Sequence, residues 1–125
     1  MILITRPEIE AKHFAEVLDK KNITSIIDPV IKFQPLKKNI QLSQNRIYII
    51  TSSQCVKSLD KYRKAYFHIL KKGNFYVVGE QVYKNLKNIG VKKIKFKFSD
   101  TQELLRKLKV LKKKQVSVKY EYLCG

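Results

Sequence analysis

Acidic residues are scarce in this chain of 125 residues: ten Asp and Glu stand against 27 Lys and Arg, a net charge of +17. Cysteine is nearly absent. Cys55 and Cys124 lack metal-ligand spacing and any pairing pattern, which argues against a metal centre and reads as two structural thiols. Glycine is also sparse. Gly79 has no companion glycines, so neither a phosphate-cradling loop nor a dinucleotide fingerprint is present. No apolar run is long enough to span a bilayer. The opening Ile2-Leu3-Ile4 is too short for a signal-peptide core and has no basic prefix, so a cytoplasmic location without membrane attachment is the default expectation. His13 and His68 lie far apart in the chain, with no acid–base pairing indicated.

The charge is uneven. Residues 1–36 carry five basic and five acidic residues and are neutral, so the whole +17 falls on residues 37–125. Such a field attracts polyanions: nucleic acid, anionic lipid or a small polycarboxylate. An AT-rich coding sequence produces the same abundance of Lys, Ile, Asn, Phe and Tyr. Lysine–tyrosine interleaving at Lys61-Tyr62-Arg63 and Lys84 admits a basic nucleic-acid-binding module as an alternative reading. No helix-turn-helix, zinc-finger or ribonucleoprotein signature accompanies it, which argues against nucleic acid as the partner.

What is present alternates strand-like and helix-like segments. Ile2 to Thr5 is apolar and reads as a strand buried on both faces. Pro7 suits a helix start, Glu8 and Glu10 favour the helix dipole, and Ala11, Phe14, Ala15 and Leu18 recur on one face of a helix over about 7–21. Asn22 is a stop, and Ile23, Ile26 and Ile27 give a second strand. A right-handed crossover makes the two parallel. Residues 29–44, with prolines at 29 and 35, read as an extended connector.

The stretch Tyr48-Ile49-Ile50-Thr51-Ser52-Ser53-Gln54-Cys55-Val56 organises the remainder. A buried strand over 46–51 stops at three hydroxyl residues, and a helix follows over about 53–60. Ser52 or Ser53 can cap that helix. Strand carboxyl ends face the ligand crevice of α/β folds, and a helix N-terminus offers N–H groups to anions, so Thr51, Ser52 and Ser53 are also candidate ligand contacts. Helical character continues from Tyr62 to Lys72, with Tyr66, Ile69 and Leu70 on one face. Gly73-Asn74 ends it. Phe75 to Val78 is a strand, Gly79 a sharp turn, and Val82, Leu86 and Ile89 the buried face of a helix closed by Gly90. Ile94, Phe96 and Phe98 alternate with lysines in a short strand. Ser99 and Gln102 match a capping box, and Leu104, Leu105, Leu108 and Leu111 give the helix behind it a buried face. Gln115 to Leu123 reads as a last strand. The fold class is therefore α/β: a βαβ opening (1–28), an extended linker (29–44) and a parallel-sheet lobe with helices on both faces (45–125).

The order of these pieces resembles the uroporphyrinogen-III synthase family. The resemblance rests on Ile2-Leu3-Ile4-Thr5-Arg6-Pro7 with Ala11, on Asp28-Pro29-Val30-Ile31-Lys32-Phe33-Gln34-Pro35-Leu36, and on Ile49-Ile50-Thr51-Ser52-Ser53-Gln54-Cys55-Val56. It continues through Val77-Val78-Gly79 with Leu86 and Gly90, Ser99 with Leu104-Leu105, and Tyr122-Leu123-Cys124-Gly125. The resemblance implies a two-lobe fold with the active site in the cleft between lobes. It implies a hydro-lyase of tetrapyrrole (heme) biosynthesis that takes linear hydroxymethylbilane, an octacarboxylate, expels water, inverts the last pyrrole ring and closes the macrocycle. No metal or organic cofactor is implied. By the same resemblance the substrate-binding residues are Thr51, Ser52, Ser53, Gly79, Glu80, Gln81 and Val82; no catalytic residue is assigned. Val82 stands where the family pattern has a threonine. The match extends over about half the family's length. A shortened form is therefore expected, with an opening βαβ that exposes apolar strand edges and a second chain as a partner supplying the rest. A non-catalytic remnant is the third reading.

Overall fold

A computed structural model of the chain describes residues 1–35, 46–114 and 118–123. The chain divides into two compact units, Met1–Gln34 and Pro35–Gly125. The division falls inside the expected connector. Residues 29–35 form neither helix nor strand, and the polar stretch expected as a loop over 37–45 lies outside the described residues.

The first unit is β1 (Ile2–Ile4), α1 (Glu8–Asp19) and β2 (Ser25–Ile27), with β1 and β2 parallel and Leu3 opposite Ile26. Pro7 precedes the helix, and Glu8 holds Lys12 at 2.7 Å one turn on. Asn22 ends the helical path in the left-handed region (φ 57°), which an Asn side chain tolerates better than most. Ile4, Ala11 and Leu18 form the buried cluster, with Ala15 and Ile27 packed against it. The expectation that β1 is buried on both faces is corrected: Leu3 is 60 % exposed and Ile26 is exposed opposite it. One helix covers one face of a two-stranded sheet, and an all-apolar run does not say how many faces are covered. Phe14, expected in the buried stripe, is also exposed, with the Arg6 guanidinium 5.8 Å from its ring centroid.

The second unit contains β3 (Arg46–Ile50), α2 (Ser53–Lys61), α3 (Phe67–Lys72), β4 (Asn74–Val78), α4 (Glu80–Asn88), β5 (Ile94–Phe98), α5 (Thr101–Lys114) and β6 (Lys119–Leu123). Its four strands are all parallel, in the order β5-β4-β3-β6. The central strands read as near-continuous apolar runs because helices cover both faces. On one face Tyr48, Ile50, Phe75 and Val77 meet Cys55, Val56 and Leu59 of α2, Ile69 and Leu70 of α3, and Val82 and Leu86 of α4. On the other, Ile47, Ile49, Tyr76, Val78 and Phe98 meet Leu104 of α5, with Leu108 and Leu111 packed alongside. The period-two alternation along each strand sends successive side chains to opposite layers. Arg46 and Glu121 form a half-buried ion pair at 2.7 Å that ties β3 to β6.

Four local expectations are corrected. The helix expected through Tyr62–Lys72 is interrupted: residues 62–66 form turns before α3 begins. The break re-phases the chain so that Tyr66, Ile69 and Leu70 all reach the cluster that holds Leu59. In β5 the strict alternation of Ile94, Phe96 and Phe98 fails. Phe75 pairs with Ile94 but Tyr76 with Phe96, so Lys95 is an extra residue in the ladder. A one-residue bulge exchanges the faces beyond it, sending Ile94 to one layer and Phe98 to the other. Leu105 is 47 % exposed, so the buried stripe of α5 is Leu104, Leu108 and Leu111 without it.

The capping residues of α5 are also shifted. Asp100 Oδ1 accepts from Glu103 N–H at 2.8 Å, and the Glu103 carboxylate accepts from both Ser99 N–H (2.7 Å) and Ser99 Oγ–H (2.8 Å). Asp100 and Glu103 thus take the roles expected of Ser99 and Gln102, and the Ser99 hydrogen bonds hold the Glu103 carboxyl below its usual range. Removing a capping carboxylate typically costs about 1 kcal/mol. Asp100→Ala should lower stability by that amount in a urea titration. A loss below ~0.3 kcal/mol would show that Glu103 and Ser99 alone hold the helix start.

Candidate functional site

The sheet order turns back at β3. From β3 the chain moves through β4 to β5 with α2, α3 and α4 on one layer, then crosses by α5 on the other layer to β6. Open α/β sheets hold their ligands outside the carboxyl ends of the strands at such a reversal, which here falls between β3 and β6. The hydroxyl turn Thr51-Ser52-Ser53 sits at that position because β3 ends at Ile50.

Each hydroxyl of the turn has a distinct partner. Thr51 Oγ1 lies 2.7 Å from the Tyr122 hydroxyl, a hydrogen bond across the β3–β6 boundary. Ser52 is the N-cap of α2, extended at φ −131° and ψ 134°, and its Oγ accepts from Gln54 N–H at 3.1 Å. Ser53 Oγ accepts from Asn85 Nδ2 of α4 at 3.5 Å, and Asn85 Oδ1 accepts from Gln81 Nε2 at 2.9 Å. A chain of polar contacts thus runs from the end of β3 to the start of α4. All three turn residues are half-buried.

The neighbouring strand contributes a second turn. Gly79 adopts φ +94°, a conformation an L side chain resists, and this turns β4 directly into α4. Its N–H donates to the Phe98 carbonyl at 2.8 Å. Two helix N-termini, those of α2 and α4, therefore open side by side at the carboxyl edge of adjacent strands. The dipoles and N–H groups at helix N-termini favour negative charge. Glu80, in the first turn of α4, is turned toward β5, where Lys97 Nζ donates to it at 2.6 Å and holds its carboxyl below the usual range.

Comparison with protein-family models and with curated proteins gives no match.

Of the seven residues expected to bind substrate, Thr51, Ser52, Ser53, Gly79 and Gln81 lie at the carboxyl ends of β3 and β4. Glu80 belongs to the ion pair with Lys97 on β5. Val82 is 6 % exposed and packs in the core with Leu86, so its side chain is core packing, not crevice lining. The sequence does not mark Asn85, and it marks Tyr122 only within the closing Tyr122-Leu123-Cys124-Gly125 stretch of the resemblance, with no binding role. Tyr122 is one of several aromatics in an alternating segment. Only the pairing of Ile49 with Tyr122 brings its hydroxyl to Thr51, two residues on along the same face. Asn85 carries no motif, although its position three residues after Val82 puts it on the α2 side of α4.

The remaining chemistry-bearing residues are peripheral. Cys55 is buried beneath the turn, and Cys124 lies outside the described residues. His13 is exposed, 3.8 Å from Glu16, and His68 packs edge-on against Phe67. Among the described residues no group of three or more His, Cys, Asp or Glu side chains is placed to hold a metal ion, and no helix is long and apolar enough to cross a membrane.

Proposed function

We propose that the chain is a uroporphyrinogen-III synthase-like lyase of tetrapyrrole biosynthesis, acting in the cytoplasm without a metal or organic cofactor. The observation that carries the reading is the pairing of two helix N-termini with the Thr51-Ser52-Ser53 turn at the strand-order reversal. Hydroxymethylbilane presents eight carboxylates. Short hydroxyls and the N–H groups at the starts of α2 and α4 donate hydrogen bonds to carboxylates without needing a charged side chain for each. A basic surface raises the local concentration of such a polyanion. Within this reading the unit binds and orients the acetate and propionate arms. The chemistry is loss of the terminal hydroxyl as water and attack of the inverted ring on the resulting carbon. A second chain is the proposed source of the opposite wall of the cleft.

The test adds the full chain to hydroxymethylbilane and measures the ratio of type III to spontaneously formed type I macrocycle. Binding of an octacarboxylate porphyrin is followed in parallel by fluorescence. Enrichment of type III is expected where the cleft is complete, and porphyrin binding weakened about 100-fold by Thr51→Val with Ser53→Ala, for two hydrogen bonds to charged groups at about 1.5 kcal/mol each, the low end of their range. Only type I product with no porphyrin binding, from folded protein, would leave the remnant reading in its place.

A further inference from the structure

The bulge at Lys95 has a consequence on the opposite side of β5 from the crevice turns. It swings Phe96 and Phe98 onto the layer of α5, where their rings lie 6.0 Å apart at 29°. Phe96 remains 39 % exposed although it meets the buried Tyr76 edge-on at 5.2 Å. Two residues, Ser99 and Asp100, separate the end of β5 from the start of helix α5, which runs back across this layer. Glu103, Arg106, Lys107 and Val110, at helical spacing, form the second wall of an open groove of about 470 Å³ whose first wall is Phe96, Lys97 and Phe98.

The groove combines exposed aromatic surface with concentrated positive charge. Lys107 Nζ stands 4.4 Å from the Phe96 ring centroid. Among the described residues no ion pair involves Arg106 or Lys107, whereas Lys97 is committed to Glu80. Glu103 is occupied by Ser99. Residues 92–114 contain ten lysines and arginines against Asp100 and Glu103, a net +8 of the chain's +17. The three lysines ending α5 extend the positive surface beyond the groove.

We propose that the β5–α5 groove binds single-stranded nucleic acid, one base stacking on Phe96 and the flanking phosphates engaging Arg106 and Lys107. Unstacked bases supply a π-face and a phosphate backbone together, the two features that sequence-tolerant single-strand sites combine. A duplex hides its base faces. An anionic bilayer calls for a protruding apolar patch, and here the aromatic surface is recessed between a strand and a helix. This inference does not rest on the proposed enzymatic reading, because it uses neither the Thr51-Ser52-Ser53 turn nor the Gly79 turn.

The experiment is fluorescence anisotropy of the full chain with a labelled 12-residue oligouridine, an equal-length RNA duplex, and vesicles of phosphatidylcholine and phosphatidylserine. Single-strand binding is expected to be at least tenfold tighter than duplex binding. Arg106→Glu with Lys107→Glu should weaken it at least tenfold and reduce the slope of log K against log salt by about 1.4, for two phosphate contacts. Lys57→Glu with Lys64→Glu, an identical charge change on exposed residues of α2 and the following turn, should weaken it less than threefold. Phe96→Ala should also lose affinity and Phe96→Trp retain it, with melting curves confirming that each variant folds. Equal losses for the two charge-reversed pairs, duplex binding as tight as single-strand binding, or binding to vesicles but not to the oligonucleotide would each overturn the proposal.

Discussion

Replacing Phe75 by alanine is expected to destabilise the second unit by about 3–5 kcal/mol, the range for deleting a fully buried aromatic ring. Phe75 lies on β4, between β3 and β5, and is 0 % exposed. Its ring centroid is 5.6 Å from that of Tyr48, and both belong to the cluster that α2, α3 and α4 cover. Three helices and two neighbouring strands converge on the site, so the surroundings can collapse only partly into the cavity. A domain of this size has roughly 5–15 kcal/mol in total, so the variant should be partly unfolded at the upper end of physiological temperature. Urea titration of both proteins measures the difference. Val110→Ala, on the exposed side of α5, should stay within ~0.5 kcal/mol and serves as the reference. A loss below ~1 kcal/mol for Phe75→Ala would mean that the two layers pack more loosely than the rings indicate.

The second large effect is alkaline. Tyr76 is 3 % exposed, and burial, with the Tyr120 hydroxyl beside it, pushes its own hydroxyl up to about 12. In the unfolded chain a tyrosine ionises near pH 10. Below that value both states keep the proton, and the contribution to stability is fully present. Between about pH 10 and 12 the unfolded chain loses its proton while the folded chain keeps it, so stability falls, by about 1.4 kcal/mol for each pH unit. Tyr76→Phe removes the titrating group. The stability difference between the parent protein and Tyr76→Phe should therefore be flat from pH 7 to 9 and shift against the parent from pH 10 upward. A difference that stays constant to pH 11.5 would show that the buried hydroxyl reaches water.

These two residues mark how far the sequence was legible. Phe75, Val77, Tyr48 and Ile50 were readable as strand cores from apolar runs between turn signals, and their burial follows from them. The assignment of layers was not. Phe75 and Tyr76 are adjacent, yet one packs under three helices and the other under α5. Ile94 and Phe98 exchange layers because Lys95 adds one residue to the ladder, and a bulge leaves no composition signal. Leu105 satisfies every sequence criterion for the buried stripe of α5 and is exposed, since one helix buries only the residues pointing directly at the sheet. The candidate site divides in the same way. Ser52 was legible as a cap and Gly79 as a strand-to-helix turn, because both roles depend on the local backbone. Tyr122 beside Thr51 and Asn85 beside Ser53 depend on which strands and helices are neighbours.

The sequence by itself determined the alternation of strands and helices, the parallel βαβ opening, the uneven charge, and the turns at Asn22, Thr51-Ser52-Ser53, Gly79 and Gly90. Each is encoded by residues close together in the chain, through hydrophobic period, capping or a positive φ. Only the tertiary structure decided the strand order β5-β4-β3-β6, the reversal beside which the hydroxyl turn falls, and the bulge that opens an aromatic groove against a basic helix. Those features come from pairing between residues up to 75 positions apart, as in the Arg46–Glu121 bridge. Such pairing is governed by the competition of whole strands for neighbours, and no local signal in a single sequence records its outcome.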